Sequence, residues 1–159
     1  MVMVVFMVLP VYRYTSETRI KYDEVELDSG WKVKVHGTRY KNVTLSGFYF
    51  DMCNCGDTMT MELKLPDDKI ISEALLTFYS VHSVVDMYLD DKLFYTYGHD
   101  LYDKNKMLGY GMHYVDLPDD YAGKMLRIEL IVTEDNAFDG LPKLTIVEGF
   151  NAMKETMAG

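Results

Sequence analysis

The stretch VVDMYLDDKLFYTYG, Val84 to Gly98, decides the fold. Val85, Met87 and Leu89 fall on one side of an extended chain, and Leu93, Tyr95 and Tyr97 on one side of the run that follows, the two-residue period of half-buried strands. Asp90-Asp91 lies between them as a two-residue loop. Aspartate tolerates the left-handed backbone that a primed hairpin turn demands, so the spacing predicts an antiparallel β-hairpin.

Upstream, Ala74 to Ser80 alternates Leu76 and Phe78 against Leu75, Thr77 and Tyr79, and Thr58 to Leu65 puts Met59, Met61, Leu63 and Leu65 on one face. Both read as strands, the second stopped by Pro66-Asp67-Asp68. Earlier still, Trp31 to His36 alternates cleanly with Trp31 on the core face, Val43 to Phe50 reads as a strand bent at Gly47, and Glu24 to Leu27 is a short strand ended by Asp28-Ser29-Gly30. Downstream, His99 to Met112 loses all periodicity and reads as a long loop. Extended structure resumes at His113 to Leu117, at Met125 to Thr133 and around Leu144 and Ile146. No helical stripe recurs at i, i+3, i+4 and i+7, while turn clusters separate many short strands. That pattern predicts an all-β, two-sheet antiparallel β-sandwich, and the single apolar face on most strands favours a jelly roll over a closed barrel.

At 159 residues the chain is one domain of ordinary size. Met1 to Val11 is uniformly apolar but far shorter than the ~20 residues of a membrane-spanning helix. Two readings stand: a buried first strand, or the outer end of a membrane anchor bordered by Pro10 and Tyr12-Arg13-Tyr14, and the second is preferred because tyrosines favour the membrane border. Residues 1–14 are thus assigned to the anchor or first strand, 15–150 to the sandwich and 151–159 to a linker or frayed tail. The 25 acidic against 16 basic residues give a net charge of −9, which argues against nucleic acid and leaves polar ligands, cations or another protein as partners.

Catalytic signatures are missing: there is no Gly-x-Ser-x-Gly, no His-Glu-x-x-His and no glycine-rich phosphate loop. The acidic pairs Asp67-Asp68, Asp90-Asp91 and Asp119-Asp120 all fall at turns, where aspartate serves the backbone. The expectation is a non-enzymatic domain without a cofactor. Glu134, Asp135 and Asp139 sit on one flexible acidic loop and are the candidates for a structural calcium. Cys53 and Cys55 leave three roles open: structural, a local disulfide or a metal. Asn42-Val43-Thr44 is a formal glycosylation triplet. Candidate ligand-binding residues are those joining a flat face to a polar tip in the irregular region, His99, Tyr102, Tyr110 and His113, with Tyr40 and Asp100 as neighbours.

The succession Leu63-Lys64-Leu65-Pro66, Val85 to Gly98, His113 to Pro118 and Gly123 to Leu130 resembles galactose-binding-like jelly-roll domains. It is most similar to the version found as the extracytoplasmic sensor region of bacterial membrane signalling proteins, including GGDEF-type diguanylate cyclases, and spans Trp31 to Glu148. The hairpin and loop also look like the sugar-binding jelly roll of family-two glycoside hydrolases. The resemblance implies a non-catalytic sensor tethered outside the bacterial cytoplasmic membrane and responsive to a carbohydrate, another small polar ligand or a partner protein. A carbohydrate-binding accessory domain of a secreted glycosidase, or a spacer that forms homodimers, are the other roles it allows.

Overall fold

In a computed structural model of the chain, residues 23–149 are described, so the expected anchor or first strand at 1–14 and the tail at 151–159 lie outside the described residues. The hairpin is present. β6 (Ser83–Leu89) and β7 (Lys92–Tyr97) pair antiparallel, with Leu89 opposite Lys92 across Asp90-Asp91. Both aspartates have positive φ, 45° and 65°, as a type I′ turn requires. Register slips between Met87 and Tyr88, so Tyr88 faces Leu93 and Phe94 is the extra residue. This bulge corrects one detail of the alternation: Leu93 is exposed, while Phe94 packs against the core.

Eight further strands complete the described body: β1 (Glu24–Glu26), β2 (Trp31–Val35), β3 (Thr38–Val43), β4 (Thr58–Lys64), β5 (Ala74–Val81), β8 (Tyr110–Asp116), β9 (Met125–Val132) and β10 (Leu144–Glu148). They form two wholly antiparallel sheets, a four-stranded one in the order β1-β10-β5-β8 and a six-stranded one in the order β3-β2-β4-β9-β6-β7. With the β2–β3 hairpin set aside, the remaining eight strands follow the two interlocked Greek keys of a jelly roll. The extra hairpin widens one sheet by two strands.

The core lies between the sheets, where every second residue points inward. Trp31, Val33 and Val35 of β2, Met59 and Met61 of β4, and Leu126, Ile128 and Leu130 of β9 meet Leu76 and Phe78 of β5 and Leu144 and Ile146 of β10. Trp31 is fully buried, and its indole N–H donates to the Leu27 carbonyl at 2.8 Å, so burying the ring leaves no donor unpaired. Tyr121 closes one end of the sandwich in the same way, its hydroxyl accepting the backbone N–H of Ile71 at 2.9 Å.

Two segments depart from the sequence reading. The strand expected over Val43 to Phe50 is displaced: β3 ends at Val43, and beyond it only Tyr49 makes a bridge, to Gly140. Asp28 causes the turn, since its carboxylate accepts both the N–H and the hydroxyl of Ser46 at 2.9 and 2.8 Å and bends the chain away from the sheet. The true β3 has five exposed residues and no apolar alternation, so periodicity could not reveal it. The loop expected over His99 to Met112 begins as a one-turn helix, α1 (His99–Asp103), and its far end is pinned by buried Leu108, whose carbonyl is bonded to the His82 ring.

Candidate functional site

The outer face of the six-stranded sheet is electrically divided. On β2, Lys32 and Lys34 point outward, alternating with the buried valines. Register sets Lys34 directly opposite Arg39 of β3, and a bulge sets Lys41 near Lys32. On the other side Lys34 faces Thr60 and Lys32 faces Glu62 of β4. Like charges directly opposite each other on a sheet repel, so this arrangement is unfavourable unless an anion shares it. None of the four cations has an ion-pair partner among the described residues.

Further across the same face the sign reverses. Thr60 faces Glu129 of β9, and Glu129 faces Asp86 of β6. Here the charges are paired: Arg127 binds Asp91 and Glu129 and lies over the Tyr88 ring, 4.2 Å from its centre, while Asp86 holds His99 at 2.9 Å. The cations of β2 and β3 line an open groove of about 440 Å³, with Tyr40, Val33, Thr60 and Glu62 completing its wall.

The candidate residues named from sequence do not converge. Tyr40 is at the groove, but register pairs it with inward-facing Val33 and its ring packs edge-on against Phe48 at 5.1 Å, so it closes the groove's border. His99, bound to Asp86, sits beside the opposite edge of the sheet, five strand spacings or roughly 24 Å from Tyr40. Asp100 and Tyr102 are exposed on α1 next to it. Tyr110 belongs to the other sheet, where it stacks on Tyr79 at 5.8 Å on an exposed outer face shared with Met112 and Tyr114.

His113, a candidate ligand-binding residue from sequence, is buried between the sheets and is 4% exposed. Its Nε2 lies 2.6 Å from the Ser80 hydroxyl, its Nδ1 2.7 Å from the Tyr95 hydroxyl, and its ring stacks on Phe78. Strand alternation accounts for this, because His113, Val115 and Leu117 share the inward face of β8 and its extension. Desolvation holds the His113 pKa below its ordinary value. A serine bonded to an imidazole invites comparison with a nucleophile and its base, but the third partner is a phenol. Burial raises the pKa of Tyr95, and a neutral phenol does not stabilise an imidazolium as a carboxylate would. The trio satisfies buried polar groups, and no buried side-chain polar atom among the described residues lacks a partner.

The acidic loop is stitched to the segment before β4. Asp135 accepts the Cys55 N–H at 3.1 Å, Asn136 donates its N–H to Asn54, and Ala137 and Phe138 exchange backbone bonds with Cys53. Glu134, Asp135 and Asp139 do not gather into a three-donor cluster among the described residues. Both cysteines are free thiols, Cys53 buried and Cys55 exposed, so the local disulfide is not formed. Burial, followed by the nearby Asp57 charge, pushes the Cys53 thiol up to about 11.

Sequence reasoning missed Lys32, Lys34, Arg39 and Lys41. A signal existed: WKVKVHGTRYK carries four of the chain's 16 lysines and arginines, and one histidine, within eleven positions of an acidic protein. No protein-family model matches the chain, and no curated protein sequence matches it.

Proposed function

We propose that this domain is a non-catalytic binding module that holds a small anionic polar ligand, best a carboxylate-bearing saccharide, in the groove of β2, β3 and β4. The carrying observation is the pair of like-charged cross-strand neighbours, Lys34 opposite Arg39 and Lys41 near Lys32, with no ion-pair partner. Edge strands often carry lysine to prevent edge-to-edge association, and that accounts for Arg39 and Lys41 on β3. It does not account for Lys32 and Lys34, which lie on an interior strand. An anion between the two strands relieves the repulsion, and the Arg39 guanidinium suits a carboxylate because its planar fork donates two parallel hydrogen bonds. Thr60 and Glu62 add a hydroxyl and an acceptor for ligand hydroxyls.

The likeness to extracytoplasmic sensor jelly rolls supports a place for the module outside the bacterial cytoplasmic membrane, tethered to a signalling protein. The net charge of −9 opposes anions at long range, so binding is modest and weakens with salt. Thermal unfolding with digalacturonate and with neutral lactose tests the reading. Digalacturonate raises the melting temperature in low salt, lactose does not, and the double variant K34A/R39A loses the shift. No shift with the uronate, or an equal shift in the double variant, refutes the groove as the site. A second reading rests on the exposed Tyr79, Tyr110 and Tyr114 face, where a neutral sugar would stack; a lactose shift lost in Y110A would favour it.

A further inference from the structure

The turn between β2 and β3 and the loop leading into β4 bring together three residues that the groove does not use: His36, Cys53 and Asp57. One donor atom from each lies within 4.8 Å of the other two. Cys53 Sγ is 3.7 Å from His36 Nε2, and Asp57 Oδ2 is 3.7 Å from His36 Nδ1. A tetrahedral Zn²⁺ bonded at 2.0–2.3 Å holds its ligands about 3.3–3.8 Å apart; the gap between His36 Nδ1 and Asp57 Oδ2 is of that size and too long for an N–H···O hydrogen bond, while the Cys53 contact is with the other ring nitrogen, Nε2.

The surroundings fit the same interpretation. Nε2 of His36 lies 2.8 Å from the Asp51 carbonyl, and a carbonyl only accepts, so Nε2 carries a ring hydrogen and Nδ1 is the nitrogen by which the ring would bind a metal. Asp57 Oδ2 lies 3.7 Å from that nitrogen, which places a carboxylate oxygen beside the one ring atom able to take a metal. Metal-bound histidines characteristically donate their other N–H to a carbonyl or carboxylate, and metal-bound carboxylates are themselves hydrogen-bonded. Asp57 meets the second condition through the Asn54 N–H at 2.8 Å. The cluster spans 30% exposed His36 and fully buried Cys53, which gives an ion a path in and a sheltered seat.

We propose that His36, Cys53 and Asp57 form a divalent metal site of zinc type, with three protein ligands and a fourth position open to water. A thiolate, an imidazole and a carboxylate together suit Zn²⁺ and exclude the all-oxygen preference of Ca²⁺ or Mg²⁺. As the metal binds, the Cys53 S–H bond breaks, its proton passes to solvent, and the sulfur pair forms the metal–sulfur bond. The ion ties the β2–β3 turn to the loop before β4 and so braces the hairpin that carries the groove cations.

Cobalt substitution tests the site independently of any ligand in the groove. Titrating the reduced chain with Co²⁺ produces a sulfur-to-metal charge-transfer band that saturates at one equivalent, and Zn²⁺ displaces it. The band persists in C55S and vanishes in C53S, while D57N, a near-isosteric change, weakens Co²⁺ binding at least tenfold with the circular dichroism spectrum unchanged. No band in the wild-type chain overturns the proposal, as does a band kept in C53S but lost in C55S.

Discussion

The Ser80 hydroxyl and Nε2 of His113 lie 2.6 Å apart between the two sheets, and the Tyr95 hydroxyl occupies the other ring nitrogen at 2.7 Å. The bonds link β5 and β8 of one sheet to β7 of the other, and the site is tightly shaped. A Cβ placed on Gly111 would meet Nε2 at 3.1 Å. Besides Ser80 and Tyr95, the ring faces Phe78 and Tyr97 and no acidic side chain among its ring and hydrogen-bond contacts.

This geometry predicts an acid limb in stability. Desolvation lowers the folded-state pKa of His113 below its ordinary 6.5, so the unfolded chain binds this proton more strongly than the folded one. The stability that neutral His113 provides is whole above about pH 6.5 and drains away as pH falls from there through the lowered folded value. His113→Phe keeps the stacking on Phe78 but orphans two hydroxyls, costing about 1–3 kcal/mol at pH 7.5. Urea unfolding at pH 7.5 and 5.5 should show a smaller loss on acidification in the variant than in the wild type. Equal losses would show that His113 does not set the limb.

The hairpin turn has a measurable dependence on its first aspartate. Asp90 sits at φ 45°, and its Oδ1 accepts the N–H of Met125 at 2.9 Å, joining the turn to the start of β9. Asp90→Ala loses that bond and places a side chain poorly suited to left-handed backbone there. It should lower unfolding free energy by about 1–2 kcal/mol. Asp90→Asn, which keeps an acceptor and tolerates the conformation, should recover most of it in the same urea titration.

Gly98 controls how the α1 loop docks. Its φ is 89°, and an added Cβ would lie 2.9 Å from Cδ2 of buried Leu108. Gly98→Ala should cost about 1–3 kcal/mol and speed hydrogen exchange at Tyr102 and Leu108 more than in β4 or β9. Uniform exchange changes would mean that the loop and sheets open together.

The groove carries a trade between stability and binding. Lys34→Glu replaces a cation–cation neighbour of Arg39 with a complementary pair, which should raise stability by about 0.2–1 kcal/mol and abolish uronate binding. Differential scanning calorimetry with and without digalacturonate reads both effects.

Residues with one buried face were legible before the structure. Trp31, Val33 and Val35, or Met59 and Met61, announce their strands because alternation and burial coincide. β3 was hidden for the opposite reason: an edge strand bearing Thr38, Arg39, Tyr40 and Lys41 has no apolar face to reveal it. Because β3 was unseen, so was the groove, since Arg39 meets Lys34 only through their register. His113 was misplaced by chemistry: an imidazole suggests a ligand, yet its inward position on β8 follows from Val115 and Leu117. The His36, Cys53 and Asp57 cluster joins residues up to 21 positions apart through a turn and a loop, which local patterns do not record.

The most direct test of the binding claim is to locate the ligand by amide chemical-shift mapping in a ¹H–¹⁵N titration with digalacturonate at low salt. The groove reading predicts saturable shifts centred on Lys32, Lys34, Arg39, Lys41 and Thr60, reversed by added salt. Shifts confined to the Tyr79 and Tyr110 face, or none anywhere, would contradict it.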